Sequence, residues 1–288
     1  MLRAAADDDG DVDVRSLVFR TGDLIFGRGR LVRTDEGAWF DPPLPVAAIY
    51  YRNGPPAPRP SSFGTSVEGA DFDAVERRYE RDGAVEGYAT IYGAWLGDRI
   101  RIERQSGEQL DRRIPSWSDP PCPPPPGGWP RGMNGRYVDN LEFDLGDLES
   151  TGAAVAVVLF RPGPDQAVLV VAASDVAAVE ARLRPQLGER LCVVPSRWTR
   201  AQLDEARRHL MAMQERWRIY MHGPQCDEFA QPTMAVAVVR VTDEIAAWVE
   251  RQPAGLVSLD PCLKPTRSAD QETSGQGAAS STSCRPRS

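Results

Sequence analysis

The stretch LCVVPSRWTRAQLDEARRHLMAMQERWRIY, Leu191 to Tyr220, decides how the second half of the chain folds. A short apolar run, Leu191 to Val194, leads through Pro195 to a helix-start signal. Thr199, with Gln202 three residues on, predicts a capping box in which side chains serve the amides that the first helical turn leaves unbonded. Trp198 and Leu203 have the spacing of a hydrophobic staple. Leu203, Ala206, Leu210, Met213 and Trp217 then recur at steps of three and four, so one helical face is apolar and must be covered. Asp204 and Glu205 stand four and three residues before Arg208, on the side that faces water. Carried through Trp217, such a helix runs roughly 28 Å at about 1.5 Å per residue. Flanking strands are the surface predicted to lie beneath it.

Working outward, residues 151–265 alternate strand and helix. Ala167 to Ala173 is continuously apolar, as a strand buried on both faces is. Ser174 is placed to cap a helix with Val176, Val179 and Leu183 on one face, which Pro185 and Gly188 are expected to stop. Ile219 to His222 and Met234 to Val241 read as a hairpin. Thr242 caps a last helix with Asp243 and Glu244 in its positive first turn and Ile245, Trp248 and Val249 facing inward; Gly255 to Leu259 closes the order as a strand. The sequence β-α-β-α-β-β-α-β predicts an α+β domain, a mixed sheet with helices on one face, ferredoxin-like in character.

Residues 15–110 read as all-β, with strands at Asp23 to Arg33, around Trp39, at Ser66 to Gly69, Gly87 to Leu96 and Arg99 to Arg104. The last two form a predicted hairpin through Gly97-Asp98, and Gly27 and Gly29 permit the bend a small closed barrel needs. This half is therefore expected to be a β-barrel-like, OB-like domain. Between the halves, residues 111–150 carry PPCPPPPGGWP from Pro120 to Pro130, a Pro-rich linker of polyproline character that Trp117 and Trp129 can pin to a domain. Residues 1–14 form an acidic arm expected to be disordered; residues 266–288 are too rich in Ser, Thr, Gly and Gln to build a core and are expected to be a disordered tail bearing Cys284.

The 288 residues carry a net charge of −7, which argues against a protein dedicated to nucleic acid. The apolar runs at 153–160 and 167–173 fall far short of the ~20 residues of a membrane helix. An acidic N-terminus without a basic region and apolar core is unlike a secretory signal, so the expected location is cytoplasmic. The five cysteines, 122, 192, 226, 262 and 284, include no CxxC pair, and Cys226 with Cys262 is the pair that the strand order brings to mind for a disulfide.

Chemistry-bearing motifs are few. No G-x-S-x-G, H-E-x-x-H or P-loop sequence occurs, Gly27-Arg28-Gly29 lacks a third glycine, and the Asp7 to Asp11 run lacks EF-hand spacing. Asp71, Asp73 and Glu76 read as a solvated turn before a short helix. Of the two histidines, His209 borders the apolar stripe as an ordinary boundary residue. His222 with Cys226, Asp227 and Glu228 is the one local set holding thiolate, imidazole and carboxylate ligand types, which bind one zinc only if their side chains converge. Arg182 to Arg218 holds nine arginines against four acids, net +5, so Arg197, Arg200, Arg207 and Arg208 are candidates for gripping phosphates or an acidic protein.

PPCPPPPGGW, LCVVPSRWTRAQL and VTDEIAAWVERQPAGL together resemble a grouping of actinobacterial proteins that join a small β domain to an α+β module, over most of residues 17 to 265. That resemblance implies the two-module plan and transfers no functional residue. The expectation is a non-enzymatic, two-module binding or interaction protein with a protein partner and no cofactor. The alternatives are an enzyme or metal site around His222 and Cys226, and nucleic-acid binding by the OB-like half.

Overall fold

The computed structural model describes residues 13–43, 56–107, 119–132 and 146–266. The acidic arm before residue 13, Trp117, and the tail beyond residue 266 with Cys284 lie outside them. The described residues are mixed α/β, mostly strands with few helices, in one large sheet and two smaller ones. Two units divide it: the first takes residues 13–43, 56–107 and 263–266 of those described, the second 119–132 and 146–262.

In the first unit the strands are β1 (Leu24–Thr34), β2 (Gly37–Asp41), β3 (Thr65–Glu68), β4 (Glu76–Arg81), β5 (Ala84–Trp95), β6 (Arg99–Gly107) and β13 (Leu263–Pro265). β1 pairs with β2, β2 with β3, β3 in parallel with β6, β6 with β5, and β5 back with β1, so the pairings run in a ring. Alternation drives this: Ile25 and Leu31 of β1, Ile91 of β5 and Ile100 of β6 are fully buried on one side, while Arg28, Arg99 and Arg101 stay outside. Gly29 is needed for close approach, because a Cβ there would lie 2.3 Å from the Asp41 carbonyl oxygen. Arg30 donates to the buried Asp41 carboxylate at 2.5 Å and to Glu86 at 2.8 Å, and Asp41 also accepts from the Ser61 amide, which fastens the segment before β3.

The β5–β6 hairpin turns through Gly97, whose φ of +102° suits the first central position of a type II′ turn. One expectation is corrected: no helix follows Glu76. Asp82 and Gly83 both have positive φ, 51° and 78°, as a type I′ turn requires, and they join β4 to β5 with Arg81 opposite Ala84. Asp-Gly is a strong hairpin signal that outweighs the helix tendency of the charged run before it.

The second unit holds α1 (Gly146–Ser150), β7 (Ala154–Phe160), β8 (Val168–Ala173), α2 (Val176–Leu187), β9 (Leu191–Pro195), α3 (Arg200–Met213), β10 (Ile219–Cys226), β11 (Pro232–Val238), α4 (Asp243–Glu250) and β12 (Val257–Pro261). The strands form two three-stranded sheets rather than the single mixed sheet expected. Both sheets have one plan: β7–β8 and β10–β11 are antiparallel, β8–β9 and β11–β12 parallel, with α2 and α4 as the crossovers. The unit is thus a tandem αββαβ arrangement, with the run at 153–160 supplying β7, a strand missing from the predicted order.

Local signals explain most boundaries. The capping box forms, with Thr199 and Gln202 bonding each other's backbone amides, and Thr242 caps α4 through the Ile245 amide. Asp175 rather than Ser174 caps α2, while Ser174 Oγ donates to the Gly152 carbonyl. Pro185 lies inside α2, which runs on to Gly188 at φ +55°. α3 is shorter than the apolar spacing suggested: it ends at Met213, about 21 Å along at ~1.5 Å per residue. Trp217 belongs to the following turn, which Arg218 closes at φ +51°.

The first of these sheets is covered on both faces. Leu169, Val171 and Ala173 pack with Leu148, Val179, Leu183 and Leu187 of the helices. Val168, Val170 and Cys192 pack on the other side with Phe160 and Ala230, and Cys122 and Trp129 lie against them. The proline-rich segment is therefore held down: Cys122 is disulfide-bonded to Cys192, and Gln166 donates to the Trp129 carbonyl at 2.8 Å. The Cys226–Cys262 pairing that the strand order left open for an exported form does not occur, since both of those residues keep their thiols. Cys226 ends β10 and Cys262 follows β12, strands separated by β11.

Candidate functional site

α3 turns Leu203, Ala206 and Leu210 inward, as its stripe demands, and all three are buried. His209 borders that stripe and faces α4. Its ring lies parallel to that of Trp248 on α4, 4.9 Å between centroids and 7° between planes, and 5.2 Å from the ring of Trp217. The two indoles are 5.4 Å apart, so three rings form one cluster between the helices. Beside it opens a cleft of about 260 Å³ lined by Gln202, Glu205, Ala206 and His209 of α3 and by Trp248, Gln252, Pro253 and Leu256 at and beyond the end of α4.

Two nitrogens of this cluster, His209 Nε2 and Trp217 Nε1, are buried without a hydrogen-bond partner. Leaving such a group unserved costs about 1–3 kcal/mol, so it calls for explanation by a ligand, a water or a functional constraint. Gln202 is committed to the capping box and Gln252 donates to the Trp248 carbonyl, which leaves Glu205 as the exposed polar group on the cleft wall. In the first αββαβ half the described helix residues that meet the sheet are aliphatic. There Leu148 of α1 and Val179, Leu183 and Leu187 of α2 join one aliphatic cluster with the sheet residues Leu169, Val171 and Ala173.

The residues singled out in the sequence fall elsewhere. Arg197 precedes the α3 cap and gives its amide to Gln231, Arg200 opens α3 and lies 3.6 Å from Asp204, and Arg207 and Arg208 project from the exposed side of the helix. Several arginines of the +5 stretch are tied locally, Arg184 to Glu180 and the Leu191 carbonyl, Arg190 to the Arg131 carbonyl and Arg216 to Glu244. His222 and Cys226 share β10, four residues apart, which separates them by roughly 13 Å at ~3.3 Å per residue. Asp227 Oδ1 accepts from the amides of Phe229 and Gln231 and so organises the β10–β11 turn, in which Glu228 also lies. Among the described residues no group of three or more His, Cys, Asp or Glu side chains is gathered as a metal site.

Burial, with the Arg207 charge adding to it, holds the His222 imidazole below the ordinary histidine range. Burial also pushes the Cys226 thiol up to about 11, with Asp227 contributing, so it is protonated and a poor nucleophile at neutral pH.

In the first unit a second cluster lies on the outer side of the sheet. Phe26 of β1 stands opposite Tyr92 of β5, and Tyr92 opposite Arg104 of β6. The two rings are 6.0 Å apart and the Arg104 guanidinium sits 4.0 Å over Tyr92, with Leu24 exposed nearby on β1.

Set against known protein families, curated proteins and solved structures, the chain matches none of the three. The cleft had one sequence signal, the spacing of Gln202, Glu205 and His209 down one side of α3 next to the stripe. Its other wall, Trp248 to Leu256, lies about 40 residues further on and could be joined to it only by the fold.

Proposed function

We propose that the chain is a non-enzymatic, two-module binding protein whose second module takes its partner at the cleft between α3 and α4. The observation that carries this is the pair of unserved nitrogens in an aromatic cluster beside a cleft, where the helices of the sister half bring leucine and valine to their sheet. A fold kept only for stability gains nothing from that exchange. The test is to titrate the full chain with a pool of random heptapeptides and follow the indole N–H resonances of its seven tryptophans. Trp217 and Trp248 are expected to move selectively; shifts confined to other tryptophans, or none, contradict the reading.

For the architecture, the ring of five pairings with β3 parallel to β6 supports an OB-type barrel in the first module. Helices crossing between parallel strands of small mixed sheets support a ferredoxin-like character in the second only loosely, because the hydrogen bonds divide into two ladders. A second reading, single-stranded nucleic acid on the barrel, is favoured by the Phe26, Tyr92 and Arg104 cluster, since stacking rings beside a cation suit bases and phosphates. That cluster lies on β1, β5 and β6, away from the β2–β3 side that OB folds commonly use. Anisotropy of a labelled oligothymidine tests it: binding that Arg104→Ala weakens supports it, and indifference to Arg104→Ala opposes it. An enzyme or metal centre at His222 and Cys226 has the ~13 Å span of β10 and a protonated thiol against it.

No described helix is long and apolar enough to cross a membrane. The cytoplasmic location read from the N-terminus is opposed by the Cys122–Cys192 bond, because structural disulfides persist in oxidising compartments.

A further inference from the structure

We propose that the occupant of the α3–α4 cleft is a single basic side chain, a guanidinium or alkylammonium group presented by a peptide; this rests on the binding reading above. Glu205 is the one charged residue lining the cleft among the described residues, and it is an acid. Arg208 and Arg251, next in sequence to the lining residues His209 and Gln252, do not line the cleft. The far wall is the carboxyl end of α4, where Trp248 is followed by Gln252 and Pro253 just past the last helical residue, Glu250. Helix carboxyl ends carry partial negative charge and attract cations.

Size and hydrogen bonding narrow the choice further. At about 260 Å³ the cleft falls below the ~300–1,000 Å³ that takes a drug-sized ligand, which suits one side chain. Of the two unserved nitrogens only that of His209 belongs to a residue lining the cleft, and a basic side chain brings N–H groups that its imidazole can accept. The charge preference is the opposite of what the arginine-rich sequence of α3 suggests, because its free-standing arginines project from the exposed side of the helix and the cleft opens beside His209.

The test uses the full chain and N-acetyl-L-arginine amide, with N-acetyl-L-norleucine amide and N-acetyl-L-glutamate amide as neutral and acidic controls. Binding is followed through the indole signals of Trp217 and Trp248 and the ring signals of His209. The arginine derivative is expected to move them at millimolar concentration, with the norleucine derivative at least tenfold weaker and the glutamate derivative inactive. Glu205→Gln should weaken the arginine derivative at least fivefold and Glu205→Lys should abolish its effect, whereas Glu215→Gln should leave it unchanged. Circular dichroism checks that each variant is folded. Equal binding of the norleucine derivative, or binding indifferent to Glu205→Gln, overturns the cation preference while leaving the cleft as a binding site. Silence from all three probes overturns both.

Discussion

The two αββαβ halves of the second unit share strand directions and crossover helices, yet they treat the space between their helices in opposite ways. In the first, Leu148, Val179, Leu183 and Leu187 pack into one aliphatic cluster on the sheet. In the second, His209, Trp217 and Trp248 meet there, two nitrogens go unserved, and a cleft stays open beside Glu205. One plan thus carries an aliphatic core once and an aromatic cluster beside an open cleft once. Side chains and helix lengths both separate them: α1 has 5 described residues where α3 has 14, and α2 has 12 where α4 has 8.

That contrast can be broken by substitution. Leu183→Ala in the aliphatic half should cost about 2–5 kcal/mol, because Leu183 is fully buried and its neighbours cannot all collapse into the void. Denaturant unfolding measures it, and a loss below about 1 kcal/mol would mean that this half is not the scaffold. Cys122→Ser should follow at about 2–4 kcal/mol, since the bond ties the proline-rich segment across a separation of 70 residues; reduction of the unmodified chain should lower its stability in parallel. In the open half, Thr199→Ala removes the capping box and should cost about 1 kcal/mol.

The smallest effect concerns pH. His222 is held below its ordinary range, so between that lowered value and ~6.5 the unfolded chain binds more protons than the native one. Stability therefore rises with pH through this window and is lost as pH falls through it. Arg207→Gln removes the lesser of the two causes, so His222 should titrate higher, though still below its ordinary range, and the window should narrow. The ring proton shifts of His222 read this directly; an unchanged midpoint would show that Arg207 does not act on it.

Much of the scaffold was legible because its signals are local. Thr199 with Gln202, Thr242 before Asp243, and Arg99 to Glu103 in alternation each fix an element from a few adjacent residues. The tandem plan also left a trace: Ala167 to Asp175, AVLVVAASD, echoes Ala235 to Asp243, AVAVVRVTD. The echo is out of step with the caps, because Asp175 starts α2 whereas Thr242 starts α4. Trp217 illustrates the limit. Its spacing extends the helical stripe, but the helix ends four residues earlier and the indole reaches its buried place from a turn. The Cys122–Cys192 bond and the cleft depend on contacts between residues 70 and about 40 apart, which no local pattern encodes.

The most direct test of the account is the unfolding free energy of His209→Leu. In a core, losing the ring contacts costs about 0.5–1.5 kcal/mol, but leucine also removes a buried nitrogen whose lack of a partner costs about 1–3 kcal/mol. The account predicts a variant at least as stable as the wild type, within about 1 kcal/mol, that no longer responds to peptide. A loss of about 2 kcal/mol or more would contradict it and make His209 a structural residue of an ordinary core.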